Sequence, residues 1–365
     1  MKKVLFAITN LDIGGAEKVL VNLANALKDT YDITVLTLYN NGQLEETLDK
    51  KIKIESVINK KYDDMNFVQR KMFALKIRSN TFKKRLYKQI NISSYNTVIS
   101  FLEGPVTELL KDAPNRKIAW IHTDLTEHYS KNKYKHLINV YKKYDELVFV
   151  SQNSLDKFLI IDNQNKCREN KQIIYNYIDE KSILKNSKEK VDIEFSKSKN
   201  FVVVARLVEA KGIDRLMKVH KKLISDGYPH NIYIIGDGPL REKLEELQKE
   251  YKVEDTFHLL GKKMNPYPYI VEGDYFLLPS YYEGYPVSLI EAEILNQYIL
   301  ITDIASKEVV KDYPNKEIFP NTEEGIYNGL KKIIEEKKIR SKEHYTVTNN
   351  EKIIESIKQL IGGEK

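Results

Sequence analysis

LLPSYYEGYPVSLIEAEIL, Leu277 to Leu295, reads as the end of a strand, a loop and the first turns of a helix. The apolar run DYFLL enters it and stops at Pro279 and Ser280. Apolar residues at helical spacing resume beyond Pro286. Glu283 lies on the loop and Glu291 on the helix, with seven residues between them. Gly284, Tyr285, Pro286, Val287 and Ser288 fall at the helix N-terminus, where free N–H groups and the positive end of the helix dipole favour an anion. Each carboxylate can accept hydrogen bonds from hydroxyl groups. For the spacing alone, a solvated glutamate pair is the better reading.

The same strand, loop and helix unit recurs along the chain. Val4–Thr9 (VLFAIT) is followed by a helix carrying Val19, Leu20, Leu23, Ala24 and Leu27 at helical spacing. Further strands are expected from Ile33, Ile52, Thr97, Lys117 and Glu146, then at Phe201–Ala205 and in NIYII, TFHLL, DYFLL and YILIT. Strands alternating with helices predict an α/β protein with parallel sheets covered on both faces. The polar, lysine-rich stretch from Asp179 to Asn200 reads as a linker between two doubly wound domains, residues 1–190 and 198–340. An amphipathic run within 345–362 ends the chain and is expected to pack back on the first domain.

Open parallel sheets bind ligands at the carboxyl ends of their strands, so the loops there hold the candidate site. NLDIGGAEK follows the first strand and sets Gly14 and Gly15 before a helix, which allows a ligand close to the backbone. It lacks the G-x-G-x-x-G fingerprint, and no P-loop pattern occurs, so dinucleotide-dependent dehydrogenases and P-loop kinases lose support. RLVEAKG puts Arg206 and Lys211 after the first strand of the second domain, two cations suited to a diphosphate. GDGPL, with Gly236, is either a tight turn or a point of ligand approach.

Bulk properties narrow the class. A length of 365 residues, 42% hydrophobic and 30% charged, suits two globular domains. Cys167 is the only cysteine, so no intrachain disulfide forms, and a reducing, cytoplasmic location fits. No apolar stretch reaches the roughly 18 to 20 residues of a membrane span. The formal charge of +7 is concentrated in residues 69–89, which hold eight Lys or Arg and no acidic residue. Two readings stand for this segment: a basic amphipathic helix on the inner face of an anionic membrane, or a surface helix packed on its own domain. No nucleic-acid module is present, and nucleic acid is not an expected partner.

Together GGAEK, R-L-x-x-x-K-G, GDGPL and PSYYEGYPVSLIEA, in this order, resemble the family 4 retaining glycosyltransferases of GT-B architecture. The resemblance implies two Rossmann-like domains facing each other across a cleft. It implies that Arg206 and Lys211 bind the diphosphate of a nucleotide sugar, that Glu283 meets the transferred sugar and that Glu291 holds the ribose. Gly14 and Gly15 would approach the phosphates or the acceptor. In WIHTD, His122 would lie near the transferred sugar rather than serve as a structural histidine, with Asp124 on the acceptor side. No cofactor or metal is implied, and no D-x-D triplet occurs. The expected reaction moves a hexose or N-acetylhexosamine, from UDP by family prevalence, to a saccharide or lipid-linked saccharide of a surface or capsular polysaccharide. A noncatalytic nucleotide-sugar-binding subunit and a GT-B epimerase remain alternatives.

Overall fold

Strands with apolar side chains on both faces must be covered twice, and the computed structural model covers them with helices. It describes residues 1–40, 42–61, 64–163, 166–167, 170–336 and 349–363. The expected start of the final helix, residues 345–348, and the last residues expected in the second domain, 337–340, lie outside that set. Two compact units form: Met1–Ile178 with Asn349–Lys365, and Asp179–Thr348.

The first unit contains β1 Lys3–Ile8, α1 Gly15–Leu27, β2 Asp32–Tyr39, β3 Lys53–Ile58, α2 Phe67–Lys76 and α3 Asn80–Gln89. It continues with β4 Thr97–Ser100, α4 Pro105–Leu110, β5 Arg116–Ile121, α5 Leu125–His128, α6 Tyr134–Tyr141, β6 Glu146–Phe149, α7 Gln152–Ile161 and β7 Asn170–Ile173. Its seven strands are parallel in the order β3-β2-β1-β4-β5-β6-β7.

The second unit holds α8 Glu180–Asn186, β8 Lys199–Val204, α9 Ile213–Ser225, β9 His230–Ile235, α10 Arg241–Tyr251 and β10 Phe257–Gly261. Then follow α11 Tyr267–Glu272, β11 Tyr275–Leu278, α12 Val287–Ile294, β12 Tyr298–Thr302, β13 Lys316–Phe319 and α13 Glu323–Glu335. Six parallel strands run in the order β10-β9-β8-β11-β12-β13. In each sheet the chain winds outward one way, returns to the middle and winds out the other way, so both units are doubly wound and Rossmann-like.

The cores follow the apolar runs. Val4 to Ile8 are all buried in β1, and Phe201, Val202 and Val203 are buried in β8. α9 turns Ile213, Leu216, Met217, Val219 and Leu223 inward, a stripe that covers β8 and its neighbours. The final helix, α14 Asn350–Gly362, buries Ile357, Leu360 and Ile361 on the first unit. Arg116 donates to the Leu360 carbonyl and Lys2 Nζ to that of Gly362, cations at the negative end of the helix dipole.

Two strands escaped the sequence reading, β7 (NKQI) and β13 (KEIF). Both are sheet edges whose residues are mostly half-buried or exposed, so neither needs an apolar run. The polar stretch 179–200 is not all linker. Asp179 caps α8 by accepting from Ser182 N at 3.1 Å, and Ile183 is buried, so the second unit begins at Asp179. The basic segment is two helices rather than one, parted at 77–79.

At the amino ends of the second sheet's strands a buried histidine pair is fully satisfied. His230 Nδ1 donates to the Tyr228 carbonyl at 2.8 Å, which leaves Nε2 to accept from His220 Nδ1 at 2.8 Å. His220 Nε2 then accepts from the Thr256 hydroxyl at 2.9 Å. Burial holds His220 at about 2 and His230 at about 4, below the ordinary 6.5, and His230 pushes His220 down further. Folded-state values below the unfolded one mean that the unfolded chain takes up protons first as pH falls through 6.5, so stability is lost below that pH. Urea unfolding of the second unit should show each histidine withdrawing on the order of 2 kcal/mol between pH 7 and pH 5. In His220→Gln about half of that loss should disappear; an unchanged slope would contradict the neutral pair.

Candidate active site

The chain reverses its direction of winding at β8, so β8 and β11 are neighbours although 70 residues apart in sequence, with Phe201 opposite Tyr275. Their carboxyl-terminal loops therefore lie side by side, and these are the loops carrying Arg206, Lys211 and Glu283. Tyr281 N donates to the Ala210 carbonyl at 2.8 Å, which ties the two loops by backbone. Lys211 Nζ lies 2.6 and 2.5 Å from the two oxygens of Glu283. Ser280 Oγ donates to the same carboxylate at 2.7 Å. Glu283 is buried and Lys211 half-buried, so the pair is partly desolvated and tightly placed. Arg206 sits at the end of β8 with an exposed side chain that has no ion-pair partner among the described residues.

A buried cation braces this arrangement. Arg215, on α9, donates to the Pro279 carbonyl at 2.7 Å and to Asn321 Oδ1 at 2.9 Å, and its guanidinium lies 3.8 Å from the Tyr281 ring centre. Asn321 Nδ2 returns a bond to the Tyr281 carbonyl at 3.0 Å. Gly212 has φ +62°, and a side chain there would place Cβ 2.6 Å from the Pro279 carbonyl oxygen. The loop after β8 can lie against the loop after β11 because that position is glycine.

Pro286 caps α12, so Val287 and Ser288 carry the first amides of the helix and Gly284 and Tyr285 lead into it. Ser306 Oγ donates to the Glu283 carbonyl at 2.9 Å and fixes the approach. Glu291 is buried on α12 and accepts from the Tyr267 hydroxyl at 2.9 Å. Burial, followed by the neighbouring Glu291 carboxylate, raises the Tyr267 phenol far above its usual range, so it stays a hydrogen-bond donor. Gly236 has φ +142°, and a Cβ there would come within 1.9 Å of the Ala205 carbonyl oxygen. Gly236 lets the loop after β9 close on the end of β8, a packing reason sufficient for that glycine.

In the first unit the corresponding reversal lies between β1 and β4. Gly14 and Gly15 open α1, whose N-terminus has no side-chain cap. After β4 comes Glu103, buried, with Oε2 accepting from the His122 backbone N–H at 3.0 Å. His122 follows β5, against the ring of Phe101 at 4.9 Å between centroids. Burial lowers it to about 4, opposed by Glu103 and by a hydrogen bond to the Phe101 backbone. Its Nε2 is buried and finds no partner among the described residues. Asp124 is committed to capping α5: its Oδ1 accepts from Thr126 N at 2.8 Å and Thr126 Oγ1 at 2.6 Å, with Lys157 3.7 Å away.

Sequence reasoning missed Ser280, Arg215, Tyr267 and Glu103. Ser280 and Glu103 stand directly after strands at the reversals and could have been found from their place. Arg215 and Tyr267 act across sequence separations of 64 and 24 residues, for which the sequence carries no signal.

The Lys211–Glu283 pair gives a testable asymmetry. Lys211→Met or Glu283→Gln alone should destabilise the second unit by about 3 kcal/mol, because each leaves a desolvated charge unpaired. The double variant should recover most of that loss in urea unfolding. Additive losses would show that the two charges are not coupled.

Residues 185–353 match the family model described as Glycosyl transferases group 1. A Campylobacter jejuni relative, N-acetylgalactosamine-N,N'-diacetylbacillosaminyl-diphospho-undecaprenol 4-alpha-N-acetylgalactosaminyltransferase, is 25% identical over 93% of this chain and 92% of its own length. An uncharacterized glycosyltransferase of Methanocaldococcus jannaschii is 30% identical over 54% of this chain, which spans about half (51%) of that relative. The crystal structure of Anabaena HepE in complex with UDP and glucose superposes with a TM-score of 0.75 over the whole of both chains at 16% identity, which establishes the shared GT-B fold. The likeness to group 1 glycosyl transferases thus lies mainly in the second unit, and the HepE superposition shows the fold alone.

Proposed function

We propose that this protein is a family 4 retaining glycosyltransferase that moves a hexose or N-acetylhexosamine from a UDP-linked donor to a lipid-linked saccharide in surface or capsular polysaccharide synthesis. The observation that carries the reading is the convergence of Arg206, Lys211, Glu283 and the α12 N-terminus at the β8/β11 reversal. Arg206, Lys211 and the amides of Val287 and Ser288 would take the diphosphate, with Gly284, Tyr285 and Pro286 shaping the approach. Lys211 has two roles, since it also neutralises Glu283 and holds that carboxylate for the sugar hydroxyls. Glu291, held by Tyr267, would accept from the ribose. The UDP bound to HepE and the undecaprenol-linked acceptor named for the Campylobacter relative support the donor and acceptor classes.

Retention without an enzymic nucleophile implies attack from the face the diphosphate leaves. The C1 bond to the β-phosphate oxygen breaks while the acceptor oxygen bonds to C1, and the acceptor proton passes to the departing phosphate. Arg206, Lys211 and the helix amides stabilise the charge that develops there, so the reading needs no divalent ion. His122, with its depressed basicity, would lie near the transferred sugar and stay uncharged rather than collect a proton at neutral pH. Gly14 and Gly15 would approach the phosphates or the acceptor from the first unit. Asp124 would act on the acceptor side only indirectly, through the loop it caps.

Three measurements test this. Calorimetric titration in EDTA should show saturable binding of UDP in preference to GDP and ADP. Arg206→Ala should weaken it about tenfold or more through the diphosphate, and Glu291→Ala should weaken it through the ribose. Binding of none of the three nucleotides, or wild-type affinity in both variants, would end the donor assignment. For His122, imidazole NMR should give a midpoint near 4, and His122→Ala should reduce kcat roughly tenfold with little change in UDP affinity. A His122 midpoint between 6 and 8 would instead make it a candidate for proton transfer.

A further inference from the structure

Helix α2 has two apolar faces, and only one is used. At 100° per residue Phe73 and the capping residue Ile77 lie about 40° apart, and both are buried in the core of the first unit. Phe73 meets Tyr39 and Phe82 edge-on, with centroids 5.4 and 6.4 Å apart. That stripe is what a surface helix needs in order to fold. Phe67, Val68, Met72 and Leu75 occupy an arc of about 140° on the other side of the helix. They are 77%, 61%, 65% and 60% exposed. Lys71 stands within the arc, and Lys76, Arg78, Lys84, Arg85 and Lys88 are likewise exposed, with no Asp or Glu from 69 to 89. α3 is different in kind. Leu86 is buried, and Lys83 is only 2% exposed with Nζ 2.7 Å from Asp112 Oδ2, so it is anchored and Lys83 is an internal strut.

We propose that α2 lies in the headgroup layer of an anionic lipid bilayer, with Phe67, Val68, Met72 and Leu75 inserted and the exposed cations of α2 and α3 on lipid phosphates. Charge selects this occupant: six exposed cations without a carboxylate match a phosphate-dense surface, whereas a second copy would set like charge against like. Long lysine and arginine stems can lie along the apolar face while their heads reach the phosphates. The proposal names the surface on which the lipid-linked acceptor of the proposed function would be met. It stands or falls independently of sugar transfer.

The test is co-sedimentation of the full chain with phosphatidylcholine vesicles with and without phosphatidylglycerol, at rising salt, with thermal unfolding of every variant as the control for folding and UDP titration alongside. The wild type should bind the anionic vesicles and release them as salt rises. Phe67→Ser with Leu75→Ser should weaken binding about tenfold or more, and Lys84→Gln, Arg85→Gln and Lys88→Gln together should weaken it and flatten the salt dependence. Lys83→Gln should change thermal stability rather than vesicle binding. Failure of the wild type to bind, equal binding by the serine variant, or a dimer in sedimentation velocity that the serine variant dissolves would overturn the proposal. Vesicle binding by a protein that ignores UDP would retain this inference and remove the donor reading instead.

Discussion

Parallel pairing sends the carboxyl end of every strand to one edge of the sheet, and the rest of this molecule depends on that constraint. Where the winding reverses, two loops distant in sequence must lie together with no helix between them. The second sheet reverses between β8 and β11, and there the cation-bearing loop meets the acidic one. Lys211 and Glu283 bond at 2.5 Å because the strands behind them are hydrogen-bonded neighbours. Arg215 and Asn321 lock the contact from beneath.

The two edges of that sheet carry different chemistry. At the carboxyl edge charged groups are half-buried and paired, with an exposed Arg206 beside them, an arrangement able to meet a charged ligand. At the amino edge His220 and His230 are buried and neutral, and with the half-buried Thr256 they satisfy one another. Such a network rigidifies, because each member has used its donors and acceptors. His122 in the first unit stands between these cases: its backbone is held by Glu103, while its Nε2 is the atom left for a partner.

Membrane contact and transfer chemistry would use different parts of the chain. α2 spends only Phe73 and its capping neighbour on the core, whereas α9 spends a full stripe. The helix is thus lightly anchored on one face and apolar on the other. No helix among the described residues is long and apolar enough to cross a membrane. The apolar face of α2 would reach only the depth of one helix surface.

The sequence by itself determined the α/β class, the central strands and the loops worth searching, because buried parallel strands need continuous apolar runs and their loops need glycines and caps. VLFAIT and FVVVA announced their strands, and the apolar spacing beyond Pro286 marked the helix that carries Glu291. The edge strands β7 and β13 were not legible, since NKQI and KEIF contain no apolar run, and Asp179 to Asn186 read as linker although it caps and forms α8. Only the tertiary structure decided which charges meet. It joined Lys211 to Glu283, turned Lys83 inward, gave Asp124 to a helix cap, and brought Tyr267 to Glu291 and Glu103 to His122. Those pairings arise from strand order and packing, and a local pattern of residues carries no record of either.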